Sequence, residues 1–240
     1  MAARGHQEDK MQQEGRSNKD PRAVARELAE QALTAGNPLG WFDRLYGLAE
    51  SGQASVPWAD RVVNPNLIHL YERFKDRLPC STALVVGCGL GDDAEYFAAL
   101  NFKVTAFDIS VTAISQCCRR FPTTTVAYRT ENLFEMPANW KNGFDVVIES
   151  YTLQVLPQTM RSGAIRNICR TLSPGGYLLF VSRAREESEP RGTMPWPLTR
   201  RELREFQRYG LREIYFEDYY DHSEDSAVRR FRCCYHKAIA

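Results

Sequence analysis

Leu84-Val85-Val86-Gly87-Cys88-Gly89-Leu90-Gly91-Asp92-Asp93 is the stretch whose reading decides the fold. Three consecutive branched or aliphatic residues suit a central parallel strand covered on both faces, and the alternating glycines let the backbone turn sharply and come close to a ligand. A helix is expected to start at once. A dinucleotide fingerprint, G-x-G-x-x-G, would place its third glycine at position 92, against a pyrophosphate at the helix N-terminus. Asp92 and Asp93 stand there instead. Two carboxylates repel a diphosphate but complement the positive end of a helix dipole, so the turn predicts a ligand with positive charge and no phosphate.

S-adenosylmethionine, with its sulfonium and ammonium groups, has that chemistry. Val86-Gly87-Cys88-Gly89-Leu90-Gly91 resembles motif I of the class I S-adenosylmethionine-dependent methyltransferases, which marks Gly87, Cys88 and Gly89 as cofactor-binding. Lys103 to Phe107 reads as a second strand and ends at Asp108, about 20 residues beyond the first glycine, the spacing at which an acid meets ribose hydroxyls in nucleotide-binding βαβ units. Ser110 is placed to cap a helix starting at Val111. By resemblance, Ile109 lies against the adenine ring. Many family members carry an aspartate where this chain has Thr130-Glu131-Asn132-Leu133-Phe134. Asn132 stands in for it, since an amide oxygen accepts the same hydrogen bond without a charge; Glu131 is a spare acceptor and Leu133 offers its backbone.

Phe144 to Ile148 reads as a further strand, ending in Glu149-Ser150-Tyr151-Thr152-Leu153-Gln154. The carboxyl ends of central strands face the ligand crevice in open α/β sheets. Glu149 is therefore expected near the cofactor, Glu149 and Tyr151 are the candidates if a catalytic base is used, and Gln154 is a substrate candidate. The Asn/Asp-Pro-Pro-aromatic tetrapeptide common at this place in amino methyltransferases of nucleic acid or protein is absent from the sequence. Ahead of motif I, Trp41, Tyr46 and Pro57-Trp58 supply large flat side chains for a lid, able to face a sulfonium by cation-π contact. The W-x-x-x-x-Y and P-W arrangement resembles the thiopurine S-methyltransferase-like group, which includes thiol, halide and tellurite methyltransferases. Arg183, directly after the fifth strand, suits a substrate carboxylate, and Met194-Pro195-Trp196-Pro197 suits the roof of a small pocket, with Trp196 as a substrate contact.

With 240 residues the chain can bury a substantial core. We expect a disordered tail at 1–20, a helical N-terminal lid at 21–60 and one methyltransferase domain at 61–240. The helix expected over Gln158 to Leu172 stops at Ser173-Pro174-Gly175-Gly176 before a strand from Tyr177 to Val181. Thr199 to Tyr209 reads as a helix with a capping box at Thr199 and Glu202. Two alternating segments, Leu211 to Tyr220 and Ser226 to His236, read as an antiparallel pair at the sheet edge. The resemblance implies a Rossmann-like, seven-stranded, mostly parallel sheet of order 3-2-1-4-5-7-6 flanked by helices. Seven cysteines without C-x-x-C spacing and four scattered histidines predict neither a metal site nor a disulfide framework, and point to a reducing cytoplasm. No apolar run is long enough to span a bilayer. A net charge of +1, with Glu202 and Glu205 interrupting the arginines of 200–212, argues against a nucleic-acid surface. The function expected is methyl transfer from S-adenosylmethionine to a small soft nucleophile such as a thiol. A regulatory module that binds the cofactor without turnover, a nitrogen, oxygen or macromolecular acceptor, and a nicotinamide-dependent oxidoreductase are the competing readings, the last opposed by Asp92.

Overall fold

The computed structural model describes residues 20, 22–79, 81–222 and 226–239; all but the last residue of the expected N-terminal tail lies outside them. Strands β1 (Thr82–Val86), β2 (Lys103–Asp108), β3 (Ala127–Thr130), β4 (Phe144–Ser150), β5 (Leu172–Arg183), β6 (Leu211–Asp221) and β7 (Val228–Lys237) form one sheet, ordered β3-β2-β1-β4-β5-β7-β6. That is the order implied by the resemblance. β1 to β5 pair in parallel, and β7 runs antiparallel between β5 and β6.

β1 is central because every residue from Ala83 to Val86 is apolar and at most 2% exposed, which requires cover on both faces. The strand pleat divides them. Leu84 and Val86 join Val147, Leu178 and Phe180 in one core, while Ala83 and Val85 join Val146, Ile148 and Leu179 in the other. The first core is covered by helix α6 (Gln158–Thr171) through Ile165 and Ile168. The second is covered by α3 (Pro65–Phe74) and α4 (Asp92–Ala99) through Leu67, Leu70 and Phe97. Helices α1 (Ala23–Thr34) and α2 (Trp41–Glu50) build a third apolar cluster with Trp41, Leu45 and Met194, and α5 (Val111–Arg120) flanks β2 and β3.

The caps read from sequence form. Ser110 Oγ accepts from Ala113 N at 3.0 Å, and Thr199 with Glu202 makes a reciprocal capping box. Two elements differ from expectation. The helix expected over 199–209 is two one-turn helices, α7 (Arg200–Leu203) and α8 (Glu205–Arg208), parted at Arg204. β5 begins at Leu172 rather than Tyr177, with Ser173 to Gly176 taken up as an irregularity opposite Phe144 and Val146. Ser173 Oγ donates to Asp145 Oδ1 at 2.9 Å, and a Cβ at Gly176 would lie 3.1 Å from the Asp145 carbonyl oxygen, so this glycine lets the two backbones close up.

Arg161 of α6 is buried and ties three segments: it donates to Leu156 O at 3.1 Å, to Trp196 O at 2.8 Å and to Glu202 Oε1 at 2.6 Å. Arg161→Met would leave the Glu202 carboxylate and two carbonyls without these donors. The expected cost is about 3 kcal/mol, read as a lower urea midpoint at unchanged m-value; a loss under about 1 kcal/mol would show that the clamp is replaceable.

Candidate active site

The turn after β1 is shaped by its glycines. Gly87 and Gly89 have φ of 60° and 54°, the left-handed region. A Cβ at Gly87 would sit 2.4 Å from Thr152 Oγ1, and one at Gly89 would sit 3.0 Å from the Tyr46 hydroxyl. Behind the turn, Asp108 at the end of β2 is buried and accepts from Gly89 N at 3.0 Å through Oδ2 and from Ser110 N at 2.9 Å through Oδ1. Each oxygen keeps a second lone pair. Burial raises the Asp108 carboxyl above its usual range, while the backbone donors at Ser110, Gly89 and Ile109 pull it down.

These groups border one cavity of about 660 Å³. Gly87, Cys88, Gly89, Asp108, Ile109 and Asn132 face it, as does Leu133. Asn132 Oδ1 accepts from Phe134 N at 3.0 Å, so that amide oxygen is partly used, and Leu133 O accepts from Asn167 Nδ2 at 3.0 Å. Glu131 also borders the cavity. The Cys88 thiol is pushed well above its ordinary value, by its hydrogen bond with Cys117 first and by burial next, so it carries its proton.

The N-terminal helices cover the cavity. Asp43 of α2 fixes the cover by accepting from Ser110 Oγ at 2.7 Å and Thr112 N at 2.9 Å. Tyr46 and Trp58 border the cavity and are joined, Trp58 Nε1 donating to the Tyr46 hydroxyl at 3.0 Å. Trp41 does not reach it. It is 3% exposed, stacked on Phe42 at 4.0 Å and edge-on to Trp58 at 6.0 Å, so it supports the lid from behind.

At the carboxyl end of β4 the side chains part. Glu149 is wholly buried and lies outside the cavity wall; its Oε1 accepts from Leu153 N at 2.7 Å, and Oε2 has no hydrogen-bond partner among the described residues. Burial pushes its carboxyl up to about 8. Tyr151 does border the cavity, at the unusual φ of 64°, with its hydroxyl accepting from Asn66 Nδ2 at 3.3 Å and Arg230 over its ring at 5.2 Å. Burial raises the Tyr151 phenol, so it holds its proton.

Gln154 is a brace. Its side chain accepts from Arg183 N at 2.7 Å and its carbonyl from Trp196 N at 2.7 Å, although part of the residue faces the cavity. Arg183 borders the cavity from the end of β5. Trp196 does not; the roof is Met194 and Pro195, held to α1 by Arg26 Nε donating to Met194 O at 2.8 Å. The backbone bond from Trp196 to Gln154 and the Arg161 bond to Trp196 O hold this segment from outside.

Sequence reading missed Asn64, Asn66, Asp221 and Arg230, which also border the cavity, as do the two acids Asp92 and Asp93 that it read at the helix start. Asn64-Pro65 had a legible signal: Asn64 caps α3 with proline at the first helical position. Its side chain also donates to Ser150 Oγ at 2.7 Å. Asp221 and Arg230 carry no local motif; they meet because β6 and β7 form a hairpin, with Arg230 Nε donating to Asp221 Oδ2 at 2.7 Å.

Residues 83–176 match the model of a methyltransferase domain. The chain is 27% identical over 159 residues to a probable thiol methyltransferase 2 of Arabidopsis thaliana, a match covering 65% of this chain and 67% of that protein. Among solved structures, the N-methyltransferase NodS of Bradyrhizobium japonicum in complex with S-adenosyl-L-homocysteine superposes with a TM-score of 0.61 at 20% identity, over 81% of this chain and 98% of that one. A methyltransferase of Methanosarcina mazei does so with a TM-score of 0.60 at 20% identity, over 75% and 100%. No helix among the described residues is long and apolar enough to cross a membrane. The glycine turn with its buried acid and the strand order are those of the Rossmann-like methyltransferase fold, and residues 83–176 carry a methyltransferase domain.

Proposed function

We propose that the chain methylates a small soft nucleophile, a thiol above all, by direct in-line transfer. The carrying observation is that a single cavity joins the glycine turn and Asp108 to Tyr151, Arg183 and the Met194-Pro195 roof. A donor and a small acceptor can then share one covered space. In this reading Asp108 accepts from the ribose hydroxyls, Ile109 and Leu133 flank the adenine, and Asn132 or Glu131 accepts from its amino group. Tyr46 and Trp58 close over the donor. Bound adenosylmethionine supplies an already activated methyl group, which leaves the protein to align the acceptor and exclude water.

No side-chain base is assigned. Glu149 is off the cavity wall and protonated up to about pH 8, and the Tyr151 hydroxyl keeps its proton. A thiol enters as its own thiolate, and the charge neutralised on transfer favours a dry pocket. Arg183 would hold a carboxylate on the acceptor. The relative named as a probable thiol methyltransferase supports the soft acceptor.

The test is release of adenosylhomocysteine with thiols, selenium compounds, halide, amines and phenols. Thiols are expected to lead, with kcat/KM rising about tenfold per pH unit below the pKa of the acceptor thiol, near 8.5 for an unperturbed one. Turnover confined to nitrogen acceptors would overturn the proposal.

A further inference from the structure

The direction of the hydrogen bond that reaches the Tyr151 hydroxyl is set by one backbone N–H. Asn66 N donates to Asn64 Oδ1 at 3.0 Å in the cap of α3, which fixes that atom as the oxygen of the Asn64 amide. The Asn66 side-chain atom that also lies 3.0 Å from Asn64 Oδ1 must then be its nitrogen, Nδ2, and the Tyr219 hydroxyl accordingly donates to the other end, Asn66 Oδ1. An amide nitrogen only donates. The Tyr151 hydroxyl, 3.3 Å from Asn66 Nδ2, therefore accepts, and its own proton has no acceptor among the described residues. That proton is left for a group in the cavity the residue borders.

Tyr151 holds this place just beyond β4 at a φ of 64°, where a residue with a side chain is strained, and such strain collects at sites that bind or react. Its amide donates to Val181 O at 3.0 Å, which pins the strained residue to β5. Burial raises the phenol, against the pull of Arg230 of β7, the Asn64 amide and Arg183 of β5, while Asp221 of β6 adds to the rise. The hydroxyl thus stays a donor at any pH where a thiol ionises.

We propose that Tyr151 is the hydrogen-bond donor to the acceptor's sulfur, and that it selects an acceptor entering as an anion, a thiolate over a protonated thiol or an ammonium group. This deepens the thiol reading above and rests on it. A hydrogen bond made to the charged form favours that form, so the bound thiol ionises at lower pH than it does in water. An ammonium nitrogen has no lone pair to accept the bond. In the transfer, the sulfur's electron pair forms the bond to the methyl carbon, the bond from that carbon to the sulfonium breaks with its pair staying on the cofactor's sulfur, and Tyr151 keeps its proton. Its role is the opposite of a base.

Tyr151→Phe keeps the ring under Arg230 and removes only the hydroxyl. With a small thiol as acceptor, the variant is expected to lose about 10- to 100-fold in kcat/KM at neutral pH. The midpoint of its kcat–pH profile should move up by about one pH unit, because the bound thiol is no longer helped to ionise. Adenosylhomocysteine affinity by calorimetry is expected to stay within about threefold of wild type, since one hydroxyl on the acceptor side is all that changes. Unchanged kinetics, or a loss in kcat/KM with the midpoint unmoved, would overturn the donor role and leave the thiol reading standing. Failure of wild type to methylate any thiol would instead remove that reading, and this inference with it.

Discussion

Asp108→Ala is expected to weaken adenosylhomocysteine binding by about 100-fold or more. Two hydrogen bonds from ribose hydroxyls to a buried carboxylate would be lost, each worth about 1.5–3 kcal/mol as a bond to a charged group. The variant will also be less stable, because the same carboxylate accepts from Gly89 N and Ser110 N, and both donors become orphans in a buried place. At about 1–3 kcal/mol for each unsatisfied group, the melting temperature should fall by several degrees. Binding is therefore measured by calorimetry at a temperature where circular dichroism shows the variant folded. A folded variant with wild-type affinity would make Asp108 a brace for the turn and take it out of the ligand site.

The second large effect concerns Glu149 and pH. Its folded pKa of about 8 lies above the ordinary glutamate value of 4.5, so between these values the folded chain holds a proton that the unfolded chain has released. Stability contributed by the neutral carboxyl is present in full below pH 4.5 and is lost as pH rises toward 8. For a single group shifted this far the loss is on the order of 5 kcal/mol across the window. Glu149→Gln cannot ionise and keeps an oxygen to accept from Leu153 N. Urea unfolding at pH 5.5 and 8.5 should show the variant gaining on wild type by several kcal/mol at the higher pH. Parallel pH profiles would mean that Glu149 is not a buried neutral acid.

The local part of the site was legible because short-range patterns encode it. The apolar run, glycine turn and acidic helix start follow from backbone sterics and burial over ten residues, and Asp108 follows from the length of one βα unit. Caps at Ser110 and Thr199 are local side-chain to backbone bonds. Glu149 was misplaced for a reason equally physical. A residue at the end of a strand adjoins the crevice, but the pleat decides which way it points. Glu149 turns into the protein and accepts from Leu153 N, whereas Tyr151, set at positive φ, reaches the cavity. Trp41 and Trp196 show the same limit: a large apolar side chain near a site packs behind its wall as readily as on it.

By itself the sequence determined the class of fold, the glycine turn that borders the cavity and the acid behind it, since each is set by contacts within a few tens of residues. Tertiary structure decided how charge is distributed in the cavity. Arg120 reaches Asp92 from another helix, Asn64 joins Asp93 to the end of β4, and the β6-β7 hairpin sets Asp221 beside Arg230. Which carboxylate is paired with an arginine and which accepts from a backbone N–H depends on partners brought together by packing, and no spacing along the chain records that.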